Sequence, residues 1–276
     1  MVHSLSDTTT LHNGVKMPWF GLGVYKAQEG EEVIQAVKVA IKHGYRSIDT
    51  AALYQNEGGV GKAIIEANVP REELFVTTKV WNSDQGYDST IQAFHTSLTK
   101  LGLDYVDLYL IHWPVVGKYK DTWKALEDLY EQGKVRAIGV SNFQIHHLKD
   151  LMADAKIKPM VNQVELHPSL TQKELLAFCQ KENIQIEAWS PLKKGRLQED
   201  SVITSIANKH QKTPAQVILR WDLQNKVVTI PKSVKEHRII ENADIFDFTL
   251  TDEEMKQIDG LNKNERTGAD PDNFDF

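Results

Sequence analysis

Asp49, Tyr54, Lys79 and His112 are the residues of this chain whose types and placement could do chemistry together. Asp49 stands in Ser47-Ile48-Asp49-Thr50-Ala51, five residues before Tyr54. Lys79 closes Phe75-Val76-Thr77-Thr78-Lys79, and His112 closes Val106-Asp107-Leu108-Tyr109-Leu110-Ile111-His112. Asp49, Lys79 and His112 each follow a short apolar, β-branched run, where a buried strand would end. A phenol beside an ammonium, a carboxylate and an imidazole is a proton-transfer device. A free phenol ionises near pH ~10, and an adjacent ammonium lowers that value. The shift brings the phenol towards the range useful for general acid–base work. Taken singly, the same residues have blander readings: His112 as a rim histidine, Asp49 with Lys79 as a structural ion pair.

Positioning such a group requires strands that end together. Eight short apolar runs read as strands: Phe20 to Tyr25, Ser47 to Ala51, Phe75 to Val80, Val106 to His112, Ala137 to Asn142, Val161 to His167, Gln185 to Ser190 and Val227 to Lys232. They are nearly continuous in apolar residues rather than alternating, the pattern of parallel strands buried on both faces. Helical patterns lie between them, as in Glu31 to His43, Thr90 to Leu101 and Tyr119 to Glu131. Gly44, Gly102 and Gly133 stand where left-handed C-terminal caps are expected. Thr171 with Glu174 three residues later predicts a capping box. Repeated strand–helix alternation predicts an α/β fold, a closed (β/α)8 TIM barrel, with an open doubly wound sheet as the alternative. Ahead of the first repeat, Thr8 to Leu11 and Val15 to Met17 flank His12-Asn13-Gly14. Asn-Gly signals a hairpin, expected to close the N-terminal end of the barrel. No linker or low-complexity segment divides residues 1–276, which read as one barrel domain, and Ala269 to Phe276 reads as a tail without regular structure.

The bulk numbers narrow the function. The chain has 276 residues, 41% hydrophobic and 25% charged, with a formal net charge of -6. An acidic balance argues against a nucleic-acid partner. No apolar run is long enough to span a bilayer, and Met1 to Thr10 lacks the apolar segment of a signal peptide. A cytoplasmic location is expected, with no membrane or nucleic-acid partner. The single cysteine, Cys179, excludes an intrachain disulfide and sits in a helix-like stretch as a small core residue.

Competing chemistries lack their motifs. No Gly-x-Gly-x-x-Gly follows a strand, and Gly58-Gly59-Val60-Gly61-Lys62-Ala63 lacks both the P-loop spacing and its hydroxyl residue. That run reads as a helix N-terminus. His146-His147 reads as a helix start rather than a metal site, and no metal is expected. In a barrel the active site lies at the C-terminal strand ends. Here those ends carry Asp49, Lys79, His112, Ser141-Asn142, Trp189-Ser190 and Lys232-Ser233.

Four segments then carry a resemblance: Gly44-Tyr45-Arg46-Ser47-Ile48-Asp49-Thr50-Ala51, Leu110-Ile111-His112-Trp113-Pro114, Gly139-Val140-Ser141-Asn142-Phe143 and Ile230-Pro231-Lys232-Ser233. In this order they make the chain similar, over nearly its whole length, to the aldo-keto reductases. It most resembles the small bacterial members that reduce glyoxals and 2,5-diketogluconate. The resemblance implies a catalytic tetrad of Asp49, Tyr54, Lys79 and His112, and NADPH bound across the barrel mouth without a Rossmann domain. It implies that Ser141, Asn142 and Gln163 hold the nicotinamide carboxamide and that Trp189 stacks on the ring. It places Lys232, Ser233 and Arg238 at the adenosine 2′-phosphate, with Val234 beside them, and Glu241 and Asn242 at the adenine and its ribose. Ser190, Leu192 and Lys194 fall along the same path. The chain departs from many relatives at Lys235. Leu192-Lys193-Lys194-Gly195-Arg196 is shorter and more basic than the belt of larger relatives, and its cations could meet the pyrophosphate.

The expected activity is NADPH-dependent reduction of small aldehydes and α-dicarbonyls of the glyoxal type, by a monomer. Tyr25, Trp81 and Trp113 are the expected substrate walls, and short mouth loops predict an open, shallow pocket. The alternatives are a non-enzymatic NADPH-binding protein and a diketogluconate-type sugar ketone reductase. A metal-dependent barrel hydrolase lacks a ligand cluster.

Overall fold

The structure, a computed structural model, describes residues 2–276. Strands β1 (Thr8–Thr10) and β2 (Lys16–Pro18) form an antiparallel hairpin. The remaining strands are β3 (Leu22–Gly23), β4 (Ser47–Asp49), β5 (Phe75–Val80), β6 (Val106–Ile111), β7 (Val135–Ser141), β8 (Val161–Glu165), β9 (Gln185–Trp189) and β10 (Val228–Thr229). They pair in chain order, all in parallel. The two edges meet: Thr229 donates its backbone N–H to the Trp19 carbonyl at 3.1 Å, and Gly21 returns one to Thr229 at 3.0 Å. Gly23 donates to the Pro231 carbonyl at 3.2 Å. The sheet is therefore a closed barrel, and the open-sheet alternative is excluded.

The expected first and last strands shrink at this seam for a covalent reason. Pro231 has no N–H to continue the ladder. A Cβ on Gly23 would sit 2.8 Å from the Ile230 carbonyl oxygen, so the two strands touch backbone to backbone. The central strands β5 and β6 are buried at every position.

The wall is wrapped by α1 (Glu31–Lys42), α2 (Glu57–Glu66), α3 (Tyr87–Leu101), α4 (Tyr119–Glu131), α5 (Ile145–Asp154), α6 (Lys173–Lys181), α8 (Pro214–Gln224) and α9 (Glu236–Ala243). Two more, α7 (Ser201–His210) and α10 (Asp252–Asp259), meet where Glu254 binds Lys209 at 2.7 Å and His210 at 2.9 Å. In α1, Val33, Ile34, Ala36, Val37, Ala40 and Ile41 are buried, the 3.6-residue stripe that seats a helix on a sheet. Gly44, Gly102 and Gly133 all take positive φ, as helix ends of this kind require. The glycine run 58–61 lies within α2, and His146-His147 within the first turn of α5.

One helix start departs from expectation. α6 begins at Lys173, and Thr171 makes no capping bond. The preceding His167–Leu170 turn, closed by two backbone bonds of 3.2 and 2.8 Å, fixes the approach. Gln172 is then driven to φ 52. The Thr171 N–H goes to Asn262 Oδ1 at 3.1 Å, and its hydroxyl has no partner.

The hairpin packs on the N-terminal ends of the strands. Thr9 donates to Gln185 at the start of β9 at 3.0 Å, and Asn13 to the Arg136 carbonyl on β7 at 3.0 Å. His12 contacts the Lys158 and Pro159 carbonyls just before β8. Asp107, buried on β6, is bound by Arg71 at 2.7 Å and Arg136 at 2.9 Å. The barrel bottom is thus closed, and chemistry is confined to the other end. Cys179 lies on the buried face of α6, where desolvation pushes its thiol up to about 12. Among the described residues no helix is long and apolar enough to cross a membrane.

Candidate active site

Asp49 ends β4, Lys79 is the penultimate residue of β5, and His112 follows β6. Tyr54 rides on a short 3-10 turn, Ala52–Tyr54, just beyond β4. Lys79 Nζ lies 2.7 Å from Asp49 Oδ1 and 2.9 Å from the Thr50 carbonyl, and its third bond reaches the Tyr54 hydroxyl at 3.2 Å. All three ammonium hydrogens are therefore directed. Lys79 is fully buried. Burial works against its charge, but Asp49 and Tyr54 outweigh it and hold its value above the usual one. The Tyr54 ring is half-exposed at the mouth while its hydroxyl lies beside this buried ammonium.

The phenol does not follow the simple expectation of a lowered value. Burial dominates, Lys79 lowers and Asp49 raises, and the sum pushes Tyr54 up to about 12. In this arrangement it holds its proton through neutral pH. Burial, and then Lys79, push His112 well below the usual imidazole range, so the ring is neutral. Its edge faces Tyr54 at 5.9 Å and Trp81 at 5.1 Å between ring centroids.

These groups open into a cavity of about 1120 Å³ at the C-terminal strand ends. Of the other residues expected there, Ser141, Asn142, Gln163, Trp189, Ser190, Leu192, Lys194, Lys232, Ser233, Arg238, Glu241 and Asn242 all line it, as do Tyr25, Trp81 and Trp113. Val234 does not; it packs against the hydrophobic core.

Internal bonds restrict what the lining can offer a ligand. Asn142 Nδ2 donates to the His112 carbonyl at 3.0 Å and to Ser141 Oγ at 3.3 Å, while Asn142 Oδ1 accepts from Trp189 Nε1 at 2.9 Å. Gln163 Nε2 gives one hydrogen to Asp49 Oδ2 at 2.7 Å and the other to Glu187 Oε2 at 2.8 Å. The two amide groups have thus used their donors, and what remains is acceptor capacity, suited to a ligand's NH2 group. The far edge of Trp189 abuts Gly268, where a Cβ would come within 2.4 Å of Cη2. The indole is held at both ends.

At the other end of the cavity, Lys232 and Arg238 are exposed and have no carboxylate partner among the described residues. Arg238 lies in the first turn of α9, where free backbone N–H groups also favour an anion. The basic loop divides. Lys193 is buried and paired with Glu265 at 3.0 Å, outside the cavity. Lys194 lines the cavity and donates to the Thr267 carbonyl at 3.3 Å. Thr267 and Gly268 are pinned in turn by Glu165, which accepts from their N–H groups at 2.6 and 3.0 Å.

The tail corrects the expectation of a shallow pocket. It has no helix or strand, but it crosses the mouth. The Phe276 ring stacks on Trp81 at 5.8 Å with an interplanar angle of 7°, and stands edge-on to Trp113 at 5.2 Å. Asn82 Nδ2 holds the Phe276 carbonyl at 3.1 Å. Sequence reasoning missed Phe276, Leu53, His237 and the 267–269 segment as lining residues. No periodicity marks a tail residue that returns across the whole chain; only its aromatic type was a hint. Near the tail, His146, His147 and Asp272 place ligand atoms within 4.8 Å of one another. His147 Nδ1 accepts the Gln144 N–H at 3.0 Å, so its Nε2 carries the proton facing Asp272 instead of a lone pair for a metal.

The comparisons with known proteins agree with this geometry. Residues 19–263 match the Aldo/keto reductase family. The chain is 66% identical over 276 residues, all of both chains, to the glyoxal reductase of Bacillus subtilis (strain 168). It is 48% identical over 268 residues, 96% of each chain, to the methylglyoxal reductase DkgA of Escherichia coli (strain K12). Among solved structures, a variant of Gox0644 in complex with NADPH superposes with a TM-score of 0.93 at 47% identity, covering 98% of this chain and 99% of that one.

Proposed function

The chain belongs to the aldo/keto reductase family, and from that premise we propose that it reduces small aldehydes and α-dicarbonyls, of the glyoxal and methylglyoxal kind, to alcohols using NADPH. The observation that carries this reading is the Asp49–Lys79–Tyr54 chain, at 2.7 and 3.2 Å, opening beside neutral His112 into one cavity. The cavity suits NADPH on its own terms. It offers two exposed cations beside a helix N-terminus for a phosphate, an indole clamped at both ends for a flat ring, and spare amide acceptors for a carboxamide.

NADPH, when bound, supplies the hydride to the carbonyl carbon. The chain's own residues place the carbonyl and manage the proton. His112, uncharged, hydrogen-bonds the carbonyl oxygen and orients it. Tyr54 gives its proton to the oxygen as negative charge develops there. Lys79 then stabilises the phenolate left behind, and Asp49 holds Lys79 in place. In this reading Trp189 backs the nicotinamide, and Ser141, Asn142 and Gln163 take its carboxamide. Lys232, Ser233 and Arg238 take the 2′-phosphate, and Glu241 and Asn242 the adenosine. Tyr25, Trp81, Trp113 and Phe276 enclose a small substrate.

Tyr54→Phe tests the reading directly. Methylglyoxal-dependent NADPH consumption falls ~10²–10⁴-fold, the usual loss of a general acid, while NADPH binding stays near that of the parent. A Phe variant turning over at the parental rate would refute the assignment. The same proposal holds residues 1–276 to be one barrel domain and the protein a cytoplasmic monomer. The single domain is supported by the contiguous core, which runs from Val2 to Ile258 in α10. Sedimentation should return a single 31.4 kDa species.

A further inference from the structure

One buried carboxyl group touches the proposed machinery and is given no role by the mechanism above. Glu187 lies in the middle of β9, in register with Gln163 on β8, and is fully buried. Its Oε2 accepts from Gln163 Nε2 at 2.8 Å, and its Oε1 has no partner. The same amide nitrogen binds Asp49 Oδ2 at 2.7 Å, and Asp49 Oδ1 binds Lys79 at 2.7 Å. Glu187, Gln163, Asp49, Lys79 and Tyr54 thus form one unbroken hydrogen-bonded line from the barrel interior to the mouth.

Resting on the reductase reading, we propose that Glu187 is a positioning residue for the reaction: through Gln163 it aims Asp49 at Lys79, and its own charge state sets how readily Tyr54 gives up its proton. The argument is one of charge counting in a dry interior. From β4 Glu187 faces the Asp49 carboxylate, from β5 the Lys79 ammonium, and from β8 only the neutral Gln163 amide. Its register partner on β10, Val228, does not titrate. Glu165, the next inward position on β8, is engaged with His167, Thr267 and Gly268. Asp222 on α8 is bound to Thr229. One cation therefore serves two carboxyl groups. Two ionised carboxylates forked on one amide would repel, and the second would be desolvated with a single neutral donor. Burial, with Asp49 adding to it, pushes Glu187 up to about 8.

Below that pH Glu187 is a neutral acceptor that keeps the Gln163 amide turned towards Asp49. Above it a second negative charge enters the line. Lys79 is then drawn away from Tyr54 electrostatically, and the phenol becomes a weaker acid. Carbonyl reduction should accordingly decline near pH 8, far below the value of about 12 at which Tyr54 itself would ionise.

The test is the pH profile of kcat for methylglyoxal with NADPH. Glu187→Gln keeps an acceptor for Gln163 but cannot ionise, and should move the alkaline limb up by at least about one pH unit. Glu187→Leu leaves a buried amide donor unpaired and should lower kcat roughly tenfold, with the NADPH dissociation constant changed less than about twofold. A Gln variant whose limb overlays the parent's would overturn the proposal. A second measurement needs no turnover and no variant fold: the 13C carboxyl resonance of Glu187 in the parent apoprotein, followed through its titration. A carboxyl still protonated at pH 7 supports the proposal, and one already ionised at pH 6 overturns it. A parent with no NADPH-dependent turnover at any pH would end the reductase reading instead, while the carboxyl titration would still decide the state of Glu187.

Discussion

At the scale of the residue, the environment decides what each titratable group does. Lys79 and Asp107 are both buried charges on barrel strands, yet they differ in kind. Asp107 is saturated by Arg71, Arg136 and the Val76 N–H, and sits towards the closed end. Lys79 spends one of its three bonds on a group that faces the cavity. His112 carries a pH signature. Its folded-state value lies below the unfolded ~6.5, so on acidification the unfolded chain takes up a proton that the native imidazole refuses. The stability this contributes is present above about pH 6.5 and lost as pH falls. His112→Gln should flatten the decline in Tm between pH 7 and pH 5, and an undiminished slope in that variant would place the acid sensitivity elsewhere. In the proposed cofactor site Arg238 is the corresponding handle. Arg238→Ala should weaken NADPH roughly tenfold, about one hydrogen bond to a charged group, and leave NADH nearly unchanged. Equal losses for both dinucleotides would remove Arg238 from the phosphate site. Asp49, Lys79 and His112 were legible because each ends an apolar run, a local signal, and Tyr54 only by its spacing from Asp49. Glu187 was not: in Gln185-Ile186-Glu187-Ala188-Trp189 it looks like any strand acid, and only the partners on β8 and β4 reveal its position.

At the scale of the element, strand centres could be read and strand ends could not. β5 spans the residues its composition predicts, because it is buried at every position. β3 and β10 are cut to two residues each by the closing seam, a constraint set by chain segments some 200 positions apart. The same long-range influence displaced the start of α6, where Asn262 claims the Thr171 N–H. The basic loop after β9 shows what such contacts do at the mouth. It is short, but Lys193 ties it to Glu265, and Lys194 to the Thr267 carbonyl. The clasp reaches Gly268, which supports the edge of Trp189. Glu265→Gln should loosen the 263–268 segment and speed NADPH dissociation a few-fold, an effect that grows at low salt because Glu265 is half exposed. Stopped-flow fluorescence displacement measures it, and an unchanged off-rate would mean the clasp does not gate the groove.

At the scale of the molecule, the two ends of the barrel are built for different tasks. One is sealed by the hairpin and by the Asp107 ion cluster; the other is left to side chains from many strand ends and from the tail. The barrel was legible because its alternation repeats along the whole chain. The pocket's depth was not, because it depends on where the last residues return. Phe276 is the sharpest case: 52% exposed, yet stacked on Trp81. Phe276→Ala should raise KM for a nitrobenzaldehyde roughly three- to tenfold, about the worth of one aromatic contact, and leave methylglyoxal almost unaffected. Equal effects on both would mean that the ring shapes the mouth for every substrate. The placement of Cys179 has a consequence of another kind. α-Dicarbonyls are electrophiles whose carbonyl carbon adds a thiolate to form a hemithioacetal, and the thiolate is the reactive form of cysteine. The chain has one sulfhydryl, on the buried face of α6 and held as the unreactive thiol. An enzyme with the proposed activity would thereby offer reactive carbonyls no accessible thiol to add to.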